Sequence, residues 1–177
     1  NCYFLSLQIV FSFSIVYNHK KRRFIMVNVV IGIVIKEDKI LLIKRERGDF
    51  PGLWAIPGGK VEECEHLNEA IEREMFEEIG IKMQFKELLG FSTEIMHDKE
   101  KTSMLYICLL EMNPADKITN PEFEYKFFSK DEIINSNNIV KSDKLFIKTF
   151  YIDKSTTYLP LDCYKDDNGR YYWKQFD

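Results

Sequence analysis

Leu67, Ile71, Met75 and Ile79 recur at every fourth position, and Gly80 follows the last of them. An α-helix turns once in about 3.6 residues, so this spacing predicts a helix over residues 66–79 with a single apolar stripe. Gly80 suits the left-handed backbone that closes a helix, and apolar Ile81 comes next, so the helix is predicted to stop there. Such a helix cannot cover its own stripe. It needs a packed layer beneath it.

That layer reads as strands. Residues 27–35 are rich in β-branched side chains, Lys36-Glu37-Asp38 turn the chain, and residues 39–44 return as a second apolar run. Arg45, Arg47, Gly48, Pro51 and Gly52 form a positively charged loop, and residues 53–57 extend into Gly58-Gly59. Further strands are predicted near 83–93, 103–112 and 123–128, and helices over 131–134 and 143–151. Residues 155–177 carry Tyr158, Tyr164, Tyr171, Tyr172, Trp173 and Phe176, with Asn168-Gly169 as a hairpin signal. Mixed strands around one strong helix predict an α/β or α+β sandwich. The expected division is a leader (1–25), a body (26–151) and an aromatic tail (152–177) packed on the body or a partner.

A chain of 177 residues suffices for one domain and scarcely for two. With 45% hydrophobic and 30% charged residues, neither disorder nor a fibrous or membrane class is indicated. A net charge of −3 gives no general pull toward nucleic acid or anionic lipid. A polyanionic ligand would need a local metal ion or arginine cluster. Cys2, Cys64, Cys108 and Cys163 are scattered without zinc spacing, which points to free thiols in a reducing compartment.

The leader runs apolar over residues 3–17 and then basic at His19-Lys20-Lys21-Arg22-Arg23, the reverse of a secretory signal. Ser6, Gln8, Ser12 and Ser14 interrupt a run already shorter than the roughly 20 residues that span a bilayer. A reverse-oriented anchor is one reading. The preferred one is upstream DNA read in frame: Arg22-Arg23 can be encoded as AGG AGG, a ribosome-binding sequence, with the start at Met26. From Met26 onward 21 basic residues face 28 acidic ones, a net charge of −7.

Glu74, Glu77 and Glu78 stand at i, i+3 and i+4, so they share a helix face. Like charges so spaced destabilise a helix by about 0.2–0.5 kcal/mol per pair. They also lie in the last turn, at the negative end of the helix dipole. A helix shaped only for stability would place lysines there. A cation would reverse both costs, and oxygen-only ligands suit a hard ion such as Mg²⁺ or Mn²⁺. Taken alone, the cluster could still be a solvated acidic face.

The wider spacing decides between them. Gly59 is followed after five residues by Glu65, and after seven more by Arg73-Glu74, then Glu77-Glu78, Gly80 and Ile81. This resembles the Nudix box, G-x5-E-x7-R-E-U-x-E-E-x-G-U, with U a bulky aliphatic residue, and every fixed position matches. At average composition a chance match from a given start is on the order of 10⁻⁸ or rarer. Met75 stands at the first U, where it fills the same apolar volume. Cys64 stands where many relatives have glycine. With the flanking hairpin and residues 124–132, the resemblance runs from about Val27 to about Ile134.

The resemblance implies an α/β/α sandwich with a mixed sheet, and it implies roles. Glu74 and Glu78 are the expected primary metal ligands, and Glu77 a ligand or the base that activates water. The carbonyl of Gly58 or Gly59 is a candidate to complete the metal shell, with a simple turn as the alternative. Arg73 is expected to orient a catalytic glutamate; an ordinary helix pair with Glu69 or Glu77 is the alternative. Glu65 is expected to support the box loop. Glu124 is the candidate acid from outside the box, unless it is an exposed strand residue. Arg45 and Arg47 could hold phosphates or merely be solvated. Trp54 or the tail aromatics could stack on a base, against core packing or a dimer contact.

The implied reaction is attack of water on phosphorus in a nucleoside diphosphate linked to a group X, releasing a nucleoside monophosphate. Family selectivity markers, a proline or tyrosine beyond the box, are absent at Met96-His97-Asp98. The motif of the NADH-cleaving group is absent too. The expectation is a nucleotide sugar such as ADP-ribose or an oxidised or ordinary nucleoside triphosphate. The expected setting is cytoplasmic, without nucleic acid or stable membrane insertion, and with a homodimer left open. Two alternatives are an isoprenoid-diphosphate isomerase, whose extra cysteine and histidine features are missing, and a non-catalytic nucleotide sensor, for which the box is unusually intact.

Overall fold

A computed structural model describes residues 26–113, 115, 117–119 and 121–175. The leader, Cys2 and Phe176 lie outside the described residues. Strand β1 (Met26–Lys36) folds back on β2 (Lys39–Lys44) through a two-residue turn. Glu37 and Asp38 both take positive φ there, 50° and 59°, the paired left-handed geometry that matches the twist of a tight hairpin. Short strands β3 (Trp54–Ala55) and β4 (Gly58–Lys60) follow, then α1 (Leu67–Ile79). Strands β5 (Gln84–Met96) and β6 (Lys101–Glu111) form a long antiparallel pair joined by a 3₁₀ turn at His97–Lys99. After β7 (Tyr125–Phe128) come α2 (Lys130–Asn135) and α3 (Lys141–Phe146), and α3 continues as a π-helical segment, Ile147–Ile152. Strands β8 (Tyr158–Lys165) and β9 (Tyr171–Gln175) close the described chain as a hairpin turned at Gly169, φ 78°.

The strands form a mixed sheet in the order β3-β2-β1-β6-β5-β8-β9, with β4 also on β1 and β7 also on β2. The β1–β6 and β5–β8 pairs are parallel and the others antiparallel. Alternation along β1 sends Val30 and Val34 to one face and Ile31 and Ile33 to the other. The first face is covered by the α1 stripe: Ala70, Ile71, Met75 and Ile79 are buried against Val30, Leu41 and Cys108. The second is covered by α3 and the π segment through Phe146, Ile147 and Phe150. The result is the expected sandwich.

Two glycines set how closely the layers approach. A Cβ on Gly32 would lie 2.6 Å from Leu110 Cδ1 and 3.2 Å from Ile71 Cδ1, so β1 lets α1 settle directly on the sheet. Gly80 ends α1 with φ 80° and donates its N–H to the Phe76 carbonyl at 2.9 Å. The helix starts one residue later than its periodicity suggests: His66 is the cap, and its N–H donates to Glu69 Oε2 at 2.8 Å. Among the described residues no helix is long and apolar enough to cross a membrane.

Candidate active site

The approach to the site is built from β4. Gly59 pairs with Val30 and Gly58 with Ile31, and Gly32 N–H donates to the Pro57 carbonyl at 2.9 Å. Gly58 has φ 145°, and a Cβ there would lie 2.1 Å from the Val30 carbonyl oxygen, so only glycine fits. Its N–H donates to Glu78 Oε2 at 2.8 Å. A Cβ on Gly59 would lie 2.3 Å from Glu74 Oε1. The two glycines therefore form a bare backbone floor onto which the carboxylates of Glu74 and Glu78 close.

Arg73 ties this floor to the helix. Its Nε and Nη2 donate to both oxygens of Glu65 at 2.8 and 3.0 Å, and Nη2 also donates to the Lys60 carbonyl at 3.0 Å. Nη1 donates to Glu74 at 2.9 Å and Glu77 at 3.2 Å. A planar guanidinium is suited to such a forked set of bonds and lysine is not. Of the two alternative helix pairs, the one with Glu77 forms, while Glu69 is used at the helix start. Glu65 thus supports the box loop, and Arg73 foremost, with the Glu62 N–H, holds its carboxyl below the usual carboxylate range.

The acids differ in environment. Burial raises Glu74, against the attraction of Arg73 and with repulsion from Glu77 and Glu65. Burial pushes Glu78 up to about 8, although the Gly58 N–H and Arg45 oppose the shift. Glu77 keeps 53% of its side chain exposed. All three line a cavity of about 750 Å³, within the roughly 300–1,000 Å³ of small-molecule sites. Arg45 and Arg47 line its other side. Arg45 Nε is buried and has no hydrogen-bond partner among the described residues. A buried donor left without an acceptor is costly.

Two expected residues are not brought to this cavity. Glu124 accepts from Lys44 Nζ at 2.9 Å, its side chain is 58% exposed, and it does not line the cavity. The acids from outside the box on its wall are Glu46 and Glu122, and Glu122 accepts from Arg47 Nη2 at 2.8 Å. The Glu122 N–H donates to the Glu78 carbonyl at 2.9 Å, fastening this segment to the end of α1. Trp54 packs its ring edge-on to Phe128, 5.1 Å between centroids, and belongs to the core under the π segment. It sits on the sheet edge, bonded through its backbone to Asn138 and Val140, and away from the cavity.

Sequence reasoning also missed Asp143, whose Oδ2 accepts from the Ile56 N–H at 2.7 Å, two residues before Gly58. Burial pushes its carboxyl up to about 7, against the Ile56 N–H and Arg45. An acid in the first turn of α3 looks like an ordinary helix start, so the sequence gave no sign of a long-range anchor.

Do these residues fit a divalent ion? Among the described residues, no three His, Cys, Asp or Glu side chains stand grouped to hold a metal. Glu74 and Glu77 each have an oxygen on Arg73. The donor chemistry nevertheless fits: oxygen only, a buried Glu78 carboxyl short of positive charge, and a floor at Gly58-Gly59 open to close approach. Glu74, Glu78 and the two glycines are the residues that would hold it.

A mixed sheet covered by helices on both faces is the fold shared with solved MutT proteins. The MutT protein of Methanosarcina mazei Go1 superposes with a TM-score of 0.62 at 24% identity, covering 74% of this chain and 96% of that one. At this identity the likeness speaks for the fold. Residues 26–150 match the NUDIX domain, and the chain belongs to the Nudix hydrolase family. An ADP-ribose pyrophosphatase of Methanocaldococcus jannaschii is 51% identical over 59 residues, 33% of this chain and 35% of that one. An 8-oxo-dGTP diphosphatase of Buchnera aphidicola is 46% identical over 57 residues, 32% of this chain and 44% of that one. The chain thus spans between a third and a half of the length of these relatives.

Proposed function

We propose that this protein hydrolyses a phosphoanhydride bond in a nucleoside diphosphate linked to a group X, with Mg²⁺ (or Mn²⁺) as cofactor. The observation that carries the reading is the closure of Glu74 and Glu78 on the Gly58-Gly59 floor, opposite the unpartnered Nε of Arg45. A divalent cation, if held by these residues, would supply positive charge against phosphate and would acidify water.

Arg45 and Arg47 hold the phosphates from the facing loop. Arg73 keeps Glu74 and Glu77 in place. Water attacks phosphorus, the bridging P–O bond breaks, and phosphorylated X departs from the nucleoside monophosphate. Glu77 or Glu78 accepts the proton of that water. The substrate is a nucleotide sugar such as ADP-ribose or an ordinary or oxidised nucleoside triphosphate, the two kinds of compound named in its relatives. The reading places the protein in the cytoplasm, where such nucleotides occur.

The test is a panel of ADP-ribose, NADH, diadenosine polyphosphates, deoxynucleoside triphosphates and their 8-oxo forms, with and without Mg²⁺ or Mn²⁺. The expected result is metal-dependent release of a nucleoside monophosphate from at least one compound. Glu78→Gln should lower kcat by about a hundredfold or more while the protein stays folded. No turnover of any compound, or a Glu78→Gln protein as active as the parent, would refute the proposal.

A further inference from the structure

Strands β8 and β9 lie beyond the family match, which ends at residue 150, yet they reach back to the site. Trp173 Nε1 donates to Glu94 Oε1 at 2.7 Å across 79 positions of chain. Glu94 is 9% exposed and lines a second cavity, of about 210 Å³. That volume is below the roughly 300–1,000 Å³ of sites that enclose a whole ligand, so it suits part of one. The second cavity shares Arg45, Ile56, Gly58, Gly59 and Lys60 with the first.

Phe50, also on its wall, is held from the same hairpin. Its ring meets Tyr171 edge-on at 4.9 Å and lies 5.4 Å from Trp173. Phe50 has φ 62°, an uncommon conformation for a bulky residue, and it persists where the surroundings over-determine it. Asp49 is fixed beside it by ion pairs to Lys99 and Lys101. The loop that begins with Arg45 is therefore strapped down by β9, the last described strand.

Resting on the hydrolase reading, we infer that Trp173 is a positioning residue: it holds Glu94 and Phe50 on the second cavity's wall, where the planar, N–H-bearing end of the nucleotide is seated. Phe50 offers a ring to stack on. The carboxyls of Glu94 and Asp143 both line that cavity, and beside their bonds to Trp173, Ser142 and Ile56 their remaining lone pairs can accept from ring N–H and amino groups. Trp173 does not touch phosphate. Its loss should weaken binding and leave bond cleavage alone.

Trp173→Phe keeps an aromatic ring and removes the donor. On the compound turned over fastest, KM should rise by about tenfold, as for loss of a hydrogen bond to a charged group, with kcat within about twofold. Inhibition by the product nucleoside monophosphate should weaken equally, and inhibition by inorganic pyrophosphate should not change. Tyr172 sits on the same strand facing the other way, stacked on Tyr164, so Tyr172→Ala is the matched control with unchanged KM. If Trp173→Phe does not fold, Phe50→Leu reads the same wall, with the same expected rise in KM. An active parent whose Trp173→Phe or Phe50→Leu variant keeps its KM, or changes only in kcat and stability, overturns this inference alone. A parent that hydrolyses nothing overturns the hydrolase reading and this inference with it.

Discussion

Two neighbouring glycines should respond oppositely to the same methyl group. In Gly58→Ala the new Cβ would sit 2.1 Å from the Val30 carbonyl oxygen and 2.8 Å from Ile31 Cα, both backbone atoms of a buried strand. Neither can move without breaking the β1–β4 pairing, and φ 145° is itself strained for alanine. Backbone strain of this kind costs about 1–3 kcal/mol, and lost pairing adds about 1 kcal/mol for each hydrogen bond. A loss near 3 kcal/mol lowers Tm by roughly 6–12 °C in a domain of this size. In Gly59→Ala the obstacle is the Glu74 carboxylate at 2.3–2.4 Å, the far end of a flexible side chain. Glu74 can swing away at the cost of its 2.9 Å bond to Arg73, so Tm should move by no more than about 4 °C. Activity should not be so tolerant. A displacement of about 1 Å at a catalytic group can cost about a hundredfold in rate, and kcat should fall on that order. Thermal unfolding and initial rates in Mg²⁺, run on both variants, read the two effects separately. Should Gly58→Ala melt with the parent, or Gly59→Ala turn over like it, the reasoning from this floor is wrong.

Asp143→Asn should change the pH dependence of stability. With its folded carboxyl pushed up to about 7 from an ordinary 3.8, the native state binds the extra proton between those values, so stability falls as pH rises through that window. The shift sets a ceiling of about 4 kcal/mol, and because part of Asp143 opens on the cavity we expect about 1–2 kcal/mol. Asparagine keeps an acceptor for Ile56, so the variant should match the parent near pH 4 and melt about 2–8 °C higher at pH 8; parallel curves would exclude the assignment. Glu122→Gln should lower kcat/KM by about tenfold through loss of its charged partnership with Arg47, while Glu124→Gln should stay within about twofold. The reverse order would restore Glu124 as the acid from outside the box.

What could be read from the sequence is what depends on local spacing. The α1 stripe, its stop at Gly80 and the gathering of Glu74, Glu77 and Glu78 on one face follow from helical geometry alone, and the β1–β2 hairpin follows from a turn too short for anything else. The Glu122–Glu124 choice could not be made that way. Residues two apart in a strand share a face, but the strand begins only at Tyr125, so Glu122 lies in the approach and is aimed by its bond to the Glu78 carbonyl. The two roles open to Trp54 could not be told apart for a related reason, since a two-residue strand carries no alternation to read, and the core side is shown by its long-range pairing to Ile139 and its contact with Phe128.

The C-terminal hairpin divides along the same line. Asn168-Gly169 marks its turn, a local matter, but nothing local says that β8 pairs in parallel with β5 or that Trp173 finds Glu94. That pairing gives the aromatic tail its physical meaning. A sheet that ended at β5 would leave Ser92, Glu94 and Met96 on an edge strand beside water, and a carboxyl there would be solvated. With β8 and β9 added, Glu94 is enclosed and burial raises its carboxyl against the pull of the Trp173 and Ser142 hydrogen bonds. The same hairpin that turns an edge into a wall also presses on Phe50, at the far end of the loop that starts with Arg45. Arg45 and Phe50, on the wall of the second cavity, thus belong to one loop that β9 presses on, so a change at Trp173 should be felt on the wall that the two cavities share.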